Sequence, residues 1–154
     1  PWNNTAPTSS VFSIGVDGAV TGNGQTHVAY CFAEKKGYSK FGSYTGNLST
    51  DGTFIYTGFS PSFVMTKNAS INDWWGMFDN KRIGYNASDS PRVVHPNTAD
   101  AESSSKLIDF TSNGFKIRSS NGAVNGDGNT IIYMAFAAEP LVANVGASIP
   151  ATAR

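Results

Sequence analysis

The sequence predicts an all-β domain, an antiparallel β-sandwich of the lectin or jelly-roll type with about 8–10 strands and little helix. Three observations lead there. No stretch of about a dozen residues keeps the i, i+3, i+4, i+7 apolar stripe of a helix, because Gly, Asn, Ser or Pro breaks the chain at short intervals. Short runs instead alternate apolar and polar side chains, the period-2 signature of a strand with one face buried. Turn signals between these runs recur about every 8 to 12 residues, the spacing an antiparallel sandwich needs.

The first predicted element belongs to an internal repeat. Asp17–Ala33 (DGAVTGNGQTHVAYCFA) returns as Asn121–Ala137 (NGAVNGDGNTIIYMAFA), identical at eight of seventeen positions without a gap. Each copy is a Gly-rich turn feeding an almost wholly apolar run, Thr26–Ala33 and Thr130–Ala137. Such runs suit strands shielded on both faces, so the two are expected as paired central strands, with Cys31 a small buried filler. The glycines and asparagines ahead of them suit a tight turn at positive φ.

Next come SYTGN and, after the turn signal Ser49-Thr50-Asp51-Gly52, TFIYTGF (Thr53–Phe59), expected to pair with each other and to end at Pro61. SFVMTK (Ser62–Lys67) and DWWGMFD (Asp73–Asp79), joined by the polar NASIN, read as a second hairpin. Residues 80–105 lose all periodicity and contain Pro91 and Pro96, which marks a functional loop or an assembly contact. KLIDF (Lys106–Phe110) and FKIRS (Phe115–Ser119) flank Thr111-Ser112-Asn113-Gly114 as a third hairpin. There Ile108, Phe110, Phe115 and Ile117 face the core, and Lys116 and Arg118 face water.

One domain is expected from 154 residues. It comprises an N-terminal extension or linker (1–10), a sandwich (11–140) and a tail (141–154), and the start at Pro1 points to a piece of a longer protein. Lys plus Arg balance Asp plus Glu at eleven each, and charged residues reach only 14%. With no basic cluster, neither nucleic acid nor an anionic membrane is an expected partner. No apolar run is long enough to span a bilayer as a helix.

Catalytic chemistry finds little to build on. The two histidines are separated, with His27 in the apolar run, where its counterpart is Ile131, and His95 in the irregular region. Cys31 corresponds to Ala135 and has no cationic neighbour to stabilise a thiolate. Asp17 and Asp127 sit in oxygen-rich turns but lack the closely spaced acids of a calcium loop, so no metal and no cofactor is expected. Asp73, Asp79, Asp89, Asp100 and Glu102 could supply the paired carboxylates of a glycosidase, although spacing fixes no separation between them. The suggestive stretch is Trp74 to Arg82: an indole beside Asp79 and Arg82 could stack on a pyranose and hydrogen-bond its hydroxyls, so Trp74, Trp75, Asp79 and Arg82 are the candidate glycan contacts. As neighbours in a strand, Trp74 and Trp75 point to opposite faces, one to the core and one outward. N-x-Ser/Thr sequons begin at Asn3, Asn47, Asn68 and Asn86.

The ordered blocks THVAYCFAEKKGYSKFGSYTGN, STDGTFIYTGFSPSFVMTKNAS, NDWWGMFDNKRIGYN, HPNTADAE, IDFTSNGFKIRSS and NTIIYMAFAAEP resemble a domain of unknown function common in marine and environmental tailed-phage virion proteins, from about Trp2 to the end. In such proteins the module often follows a concanavalin-like domain at the C-terminus. The resemblance implies a virion structural component: a tail-fibre or tail-tip protein, a capsid-attached fibre or a capsid decoration protein, acting in assembly and surface presentation. It implies no reaction and carries over no catalytic residues. Its implied location is the virion surface, and its implied partners are other copies of itself, as a homotrimer, and other virion proteins. The alternative is a lectin-like module that attaches to host surface polysaccharide, and a glycan depolymerase is the third reading.

Overall fold

A computed structural model describes residues 4–82, 86 and 92–139. The chain divides into two compact units, residues 1–32 and 33–154. Among its described residues the second carries seven strands: β1 (Ser39–Thr45), β2 (Phe54–Tyr56), β3 (Pro61–Asn68), β4 (Trp75–Asp79), β5 (Ile108–Thr111), β6 (Gly114–Ile117) and β7 (Thr130–Ala137). They form an antiparallel four-stranded sheet in the order β1-β7-β3-β4 and a three-stranded sheet in the order β2-β6-β5. The all-β sandwich is as expected, with one strand fewer than the expected range among the described residues. The described residues also form two short helices, α1 (Gly18–Thr21) in the first unit and α2 (Gly122–Asn125) in the second.

Alternation builds the core. From the four-stranded sheet Tyr44, Val64, Phe78, Ile131, Tyr133 and Ala135 point inward, and from the other sheet Ile55, Ile108, Phe110, Phe115 and Ile117 meet them. The Phe115 ring lies 6.3 Å from Tyr44 and 5.4 Å from Tyr133, both near edge-to-face, which locks one sheet onto the other. Burial pushes the Tyr44 hydroxyl well above the ordinary tyrosine range, so it stays neutral and donates to the Val124 carbonyl at 2.7 Å. Lys116 and Arg118 extend outward to Asp51, and Arg118 also to Asp109.

Two hairpins fall where the alternation put them: β5 meets β6 through Ser112-Asn113, and β3 meets β4. The proposed pairing of SYTGN with TFIYTGF does not occur. β1 pairs instead with β7 and β2 with β6, so consecutive strands lie in different sheets. Pro61 opens β3 rather than closing β2.

The repeat needs the largest correction. Locally its two copies are the same object. Asp17 caps α1 by accepting from the Ala19 N–H, as Asn121 caps α2 by accepting from the Ala123 N–H, both at 2.9 Å. Gly24 and Gly128 then turn the chain at φ 73° and 66°. Beyond that point the copies diverge. Thr130–Ala137 becomes β7, at the centre of the sheet with β1 on one side and β3 on the other. Thr26–Ala33 belongs to no strand among the described residues, and Val28, Tyr30, Phe32 and Cys31 are exposed. The expected pairing of the two runs, and the burial of Cys31, are therefore wrong. β7 has only two edges, and β1 and β3 occupy both.

Among the described residues the first strand is β1, beginning at Ser39, and the expected tail 141–154 lies outside the described residues.

α2 is tied down by a polar residue. Asn125 is fully buried; its Oδ1 accepts from the Asn47 N–H at 3.0 Å, and its Nδ2 donates toward Asn47 Oδ1 (3.0 Å) and the Ser49 and Ser119 carbonyls (both 2.8 Å). A buried amide this well satisfied fixes the α2 end against the β1–β2 connection.

Candidate functional site

β4 positions the candidate residues. Gly76 and Phe78 face inward, so Trp75, Met77 and Asp79 share the outer face of the four-stranded sheet. Trp74, just ahead of the strand, packs against the core and meets the His95 ring at a tilt of 53°, with ring centroids 4.3 Å apart. The Trp74 backbone N–H donates to Asp73 Oδ1 at 2.8 Å, and the Trp75 backbone N–H donates to Asn97 Oδ1 at 2.8 Å. The two tryptophans thus lie on opposite faces.

Outside, the Trp75 ring borders a shallow hollow of about 310 Å³ lined by Phe41, Met65, Ile132, Met134 and the Lys67 stem. Next to it Phe136 is met edge-on by Phe41 and Tyr38, at 6.0 and 5.8 Å. Lys67 cannot serve a ligand freely, since its ammonium donates to the Asn68 and Ile71 carbonyls at 2.8 and 3.1 Å.

Asp79 and Arg82 do come together. Arg82 Nε donates to Asp79 Oδ2 at 2.5 Å, Nη1 to Glu102 Oε2 at 2.8 Å and Nη2 to the Met77 carbonyl at 3.4 Å. Glu102 also accepts from Arg92 at 3.0 Å. Burial alone would raise the Asp79 carboxyl, but the Lys81 and Arg82 backbone N–H groups and the Arg82 guanidinium outweigh it and hold it below the usual range. Hydrogen bonds from Arg92 and Arg82 depress Glu102 in the same direction. Every nitrogen of Arg82 is engaged within the protein, so the guanidinium staples β4 to the chain around Glu102. Both carboxyls are shifted opposite to the direction a glycosidic general acid requires.

The four candidates therefore divide three ways: Trp74 inward, Trp75 over an apolar hollow, and Asp79 with Arg82 in an ion pair. Along β4, Trp75 and Asp79 are about 13 Å apart at the rise of an extended strand. Sequence reasoning weighed Glu102 only as a possible acid and missed Arg92, Asn97 and the ring contact of His95 with Trp74. These sit in the aperiodic stretch, where no pattern says what a side chain will touch.

Of the remaining candidates, Asp17 is a helix cap, Asp127 and His27 are exposed, and Asp89 lies outside the described residues. Among the described residues no group of three or more His, Cys, Asp or Glu side chains is placed to hold a metal, and no helix is long and apolar enough to cross a membrane. Two sequon asparagines are structural. Asn68 is fully buried with its Nδ2 on the Gly122 carbonyl at 2.8 Å, and the Asn86 amide bonds both the carbonyl (2.6 Å) and the N–H (2.9 Å) of Phe110.

Against known families, residues 1–140 match the model of a domain of unknown function, DUF7483. The chain belongs to this family. The DUF7483 match takes in both copies of the repeat and every strand described above. No curated protein and no solved structure matches the chain.

Proposed function

We propose that this DUF7483 domain is a structural module of a tailed-phage virion, part of a tail fibre, tail tip, capsid-attached fibre or capsid decoration, working in assembly and surface presentation. Besides the block-by-block resemblance, one observation carries the reading. The outer face of the four-stranded sheet bears Phe41, Phe63, Met65, Trp75, Ile132, Met134 and Phe136 where a solvated antiparallel sheet normally alternates to polar side chains. An apolar face of this kind marks a surface that functions by being covered. Homo-oligomerisation, as a trimer, belongs to the same proposal.

The test is an antibody against the domain applied to density-purified particles of the virus that encodes it. Gold label clustered at one organ of the particle is expected; a protein present in lysates but missing from purified particles would overturn the reading.

Trp75 favours a second reading, a lectin-like module for host surface polysaccharide, because its ring is partly exposed on the same face as Asp79. Reproducible glycan-array binding abolished by Trp75→Ala in a folded protein would establish it. An array signal that survives Trp75→Ala and Arg82→Ala would remove these residues from any glycan site.

A further inference from the structure

Each sheet has two edges, and the chain treats them unequally. In an antiparallel pair alternate residues direct their main-chain groups toward the partner strand and the others direct theirs away. On β1 the outward residues are Ser39, Phe41, Ser43 and Thr45: Ser39 bridges to Lys35, the Glu34 carboxylate bonds the Phe41 N–H, and the Thr45 carbonyl accepts from the Thr53 hydroxyl at 2.9 Å. On β4, Met77 bridges to Val94 and Trp75 donates to Asn97. On β5 the Asn86 amide occupies Phe110, and Ile108 is fully buried.

β2 is different. Thr53, Ile55 and Thr57 serve the β6 side, through bonds from the Ile117 N–H to Thr53 and from the Thr57 N–H to Asn113, both at 3.0 Å. Phe54 and Tyr56 therefore aim their N–H and C=O groups outward, where no described residue meets them. The two residues are 44% and 64% exposed. An open edge flanked by bare aromatics invites strand addition.

The chain also carries a strand-forming sequence that belongs to no sheet among the described residues. Main-chain groups of Thr26–Cys31 pair with nothing among the described residues, and Val28 and Tyr30 are 76% and 83% exposed. β7 shows what this text does when paired. Val28 and Tyr30 correspond to Ile132 and Met134 on the outer face of β7, and Ala29 and Cys31 correspond to Tyr133 and Ala135 on its inner face.

We infer that Thr26–Cys31 of one copy adds as a strand to β2 of a second copy. Val28 and Tyr30 then lie beside Phe54 and Tyr56 as cross-strand aromatic and β-branched neighbours, while Ala29 and Cys31 cover the sandwich margin next to Ile55. Donor and acceptor are different surfaces, so the contact is heterologous: it closes into a ring, of which a trimer is one form, or runs on as a filament. The inference stands without the virion reading, which is tested on particles rather than on the isolated chain.

Sedimentation equilibrium of the full chain tests it. Concentration-dependent association is expected. Val28→Asp with Tyr30→Asp should weaken it about 100-fold, as the loss of two large apolar contacts implies. Tyr56→Pro removes an outward N–H without touching the β6 side and should weaken it comparably, with an unchanged circular dichroism spectrum. Phe54→Lys with Tyr56→Lys provides the same edge block should the proline variant fail to fold. In a Cys31→Ser background, oxidising a mixture of Tyr30→Cys chains with Phe54→Cys or Tyr56→Cys chains should give a disulfide between copies. A monomer at all concentrations, association indifferent to both edge and donor variants, or a disulfide forming only within one chain that carries both cysteines would each overturn the inference.

Discussion

Replacing Asn125 by Asp keeps the shape of the side chain and inverts its role. The two Nδ2 protons of Asn125 are shared among three oxygens, Asn47 Oδ1 and the Ser49 and Ser119 carbonyls, at 3.0, 2.8 and 2.8 Å. In Asn125→Asp all three face another acceptor at a site without solvent. Two buried hydrogen bonds left unmade cost about 1–3 kcal/mol each, and a buried carboxylate adds to that, so the loss at pH 7 is about 4 kcal/mol. A domain of ordinary stability, about 5–15 kcal/mol, stays folded. The pH dependence is diagnostic. Surrounded by oxygens, the new carboxyl has a folded-state pKa above its unfolded value, so its penalty is full at neutral pH and shrinks as the pH falls and the folded state takes up a proton. Protonation returns one donor, so about 1–2 kcal/mol should be regained relative to wild type between pH 7 and pH 4.5. Asn125→Ala should show a comparable loss without that recovery. Urea unfolding at each pH, with wild type alongside, gives both numbers. A loss under about 1 kcal/mol at pH 7, or no recovery in acid, would refute the role assigned to the amide.

Further outcomes follow from the same contacts. Gly114→Ala puts a methyl into the Ile55 carbonyl oxygen at the β2–β6 pair, and thermal unfolding should show a loss of more than about 2 kcal/mol; a neutral effect would mean that this close approach is misjudged. Asn86→Ala uncovers Phe110 at the β5 edge and should cost about 1–3 kcal/mol while raising aggregation in light scattering, and unchanged behaviour would show the edge to be protected otherwise. Asp79 and Glu102 have folded-state pKa values below their unfolded ones, so the stability they lend is complete above about pH 5 and drains as the pH falls through and below 4. Asp79→Asn should make that acid slope shallower in urea titrations, and an identical slope would detach Asp79 from it.

What the sequence made legible was local. Alternation with a Ser-Asn turn was enough to place β5 and β6, and alternation around NASIN placed β3 and β4, because neighbours in sequence supply each other's partner. It also separated Trp74 from Trp75, since period 2 leaves no alternative. Partner choice across long separations was not legible: β1 finds β7 through ring packing of Tyr44, Phe115 and Tyr133, which no run of residues announces. The repeat misled for a related reason. Cap, helical turn and glycine turn are encoded within each copy, and burial is not. A signal was nevertheless present in the inward positions. Ile131, Tyr133 and Asn125 of the second copy are His27, Ala29 and Thr21 in the first, which removes the filling side chains and the amide anchor together. The Arg82 network was beyond reach because Glu102 and Arg92 come from a stretch without periodicity.

The amides of Asn68 and Asn86 restrict how this chain can be made. Each is an acceptor sequence for oligosaccharide transfer, and each spends its nitrogen on a backbone carbonyl. In a secretory host the sugar is attached before folding ends, so a modified Asn68 could not enter its closed position against Gly122 and the glycosylated fraction would be the misfolded one. Expression in a cytosol without that machinery avoids the conflict, and yield compared between the two hosts would report directly on how tightly these side chains are enclosed.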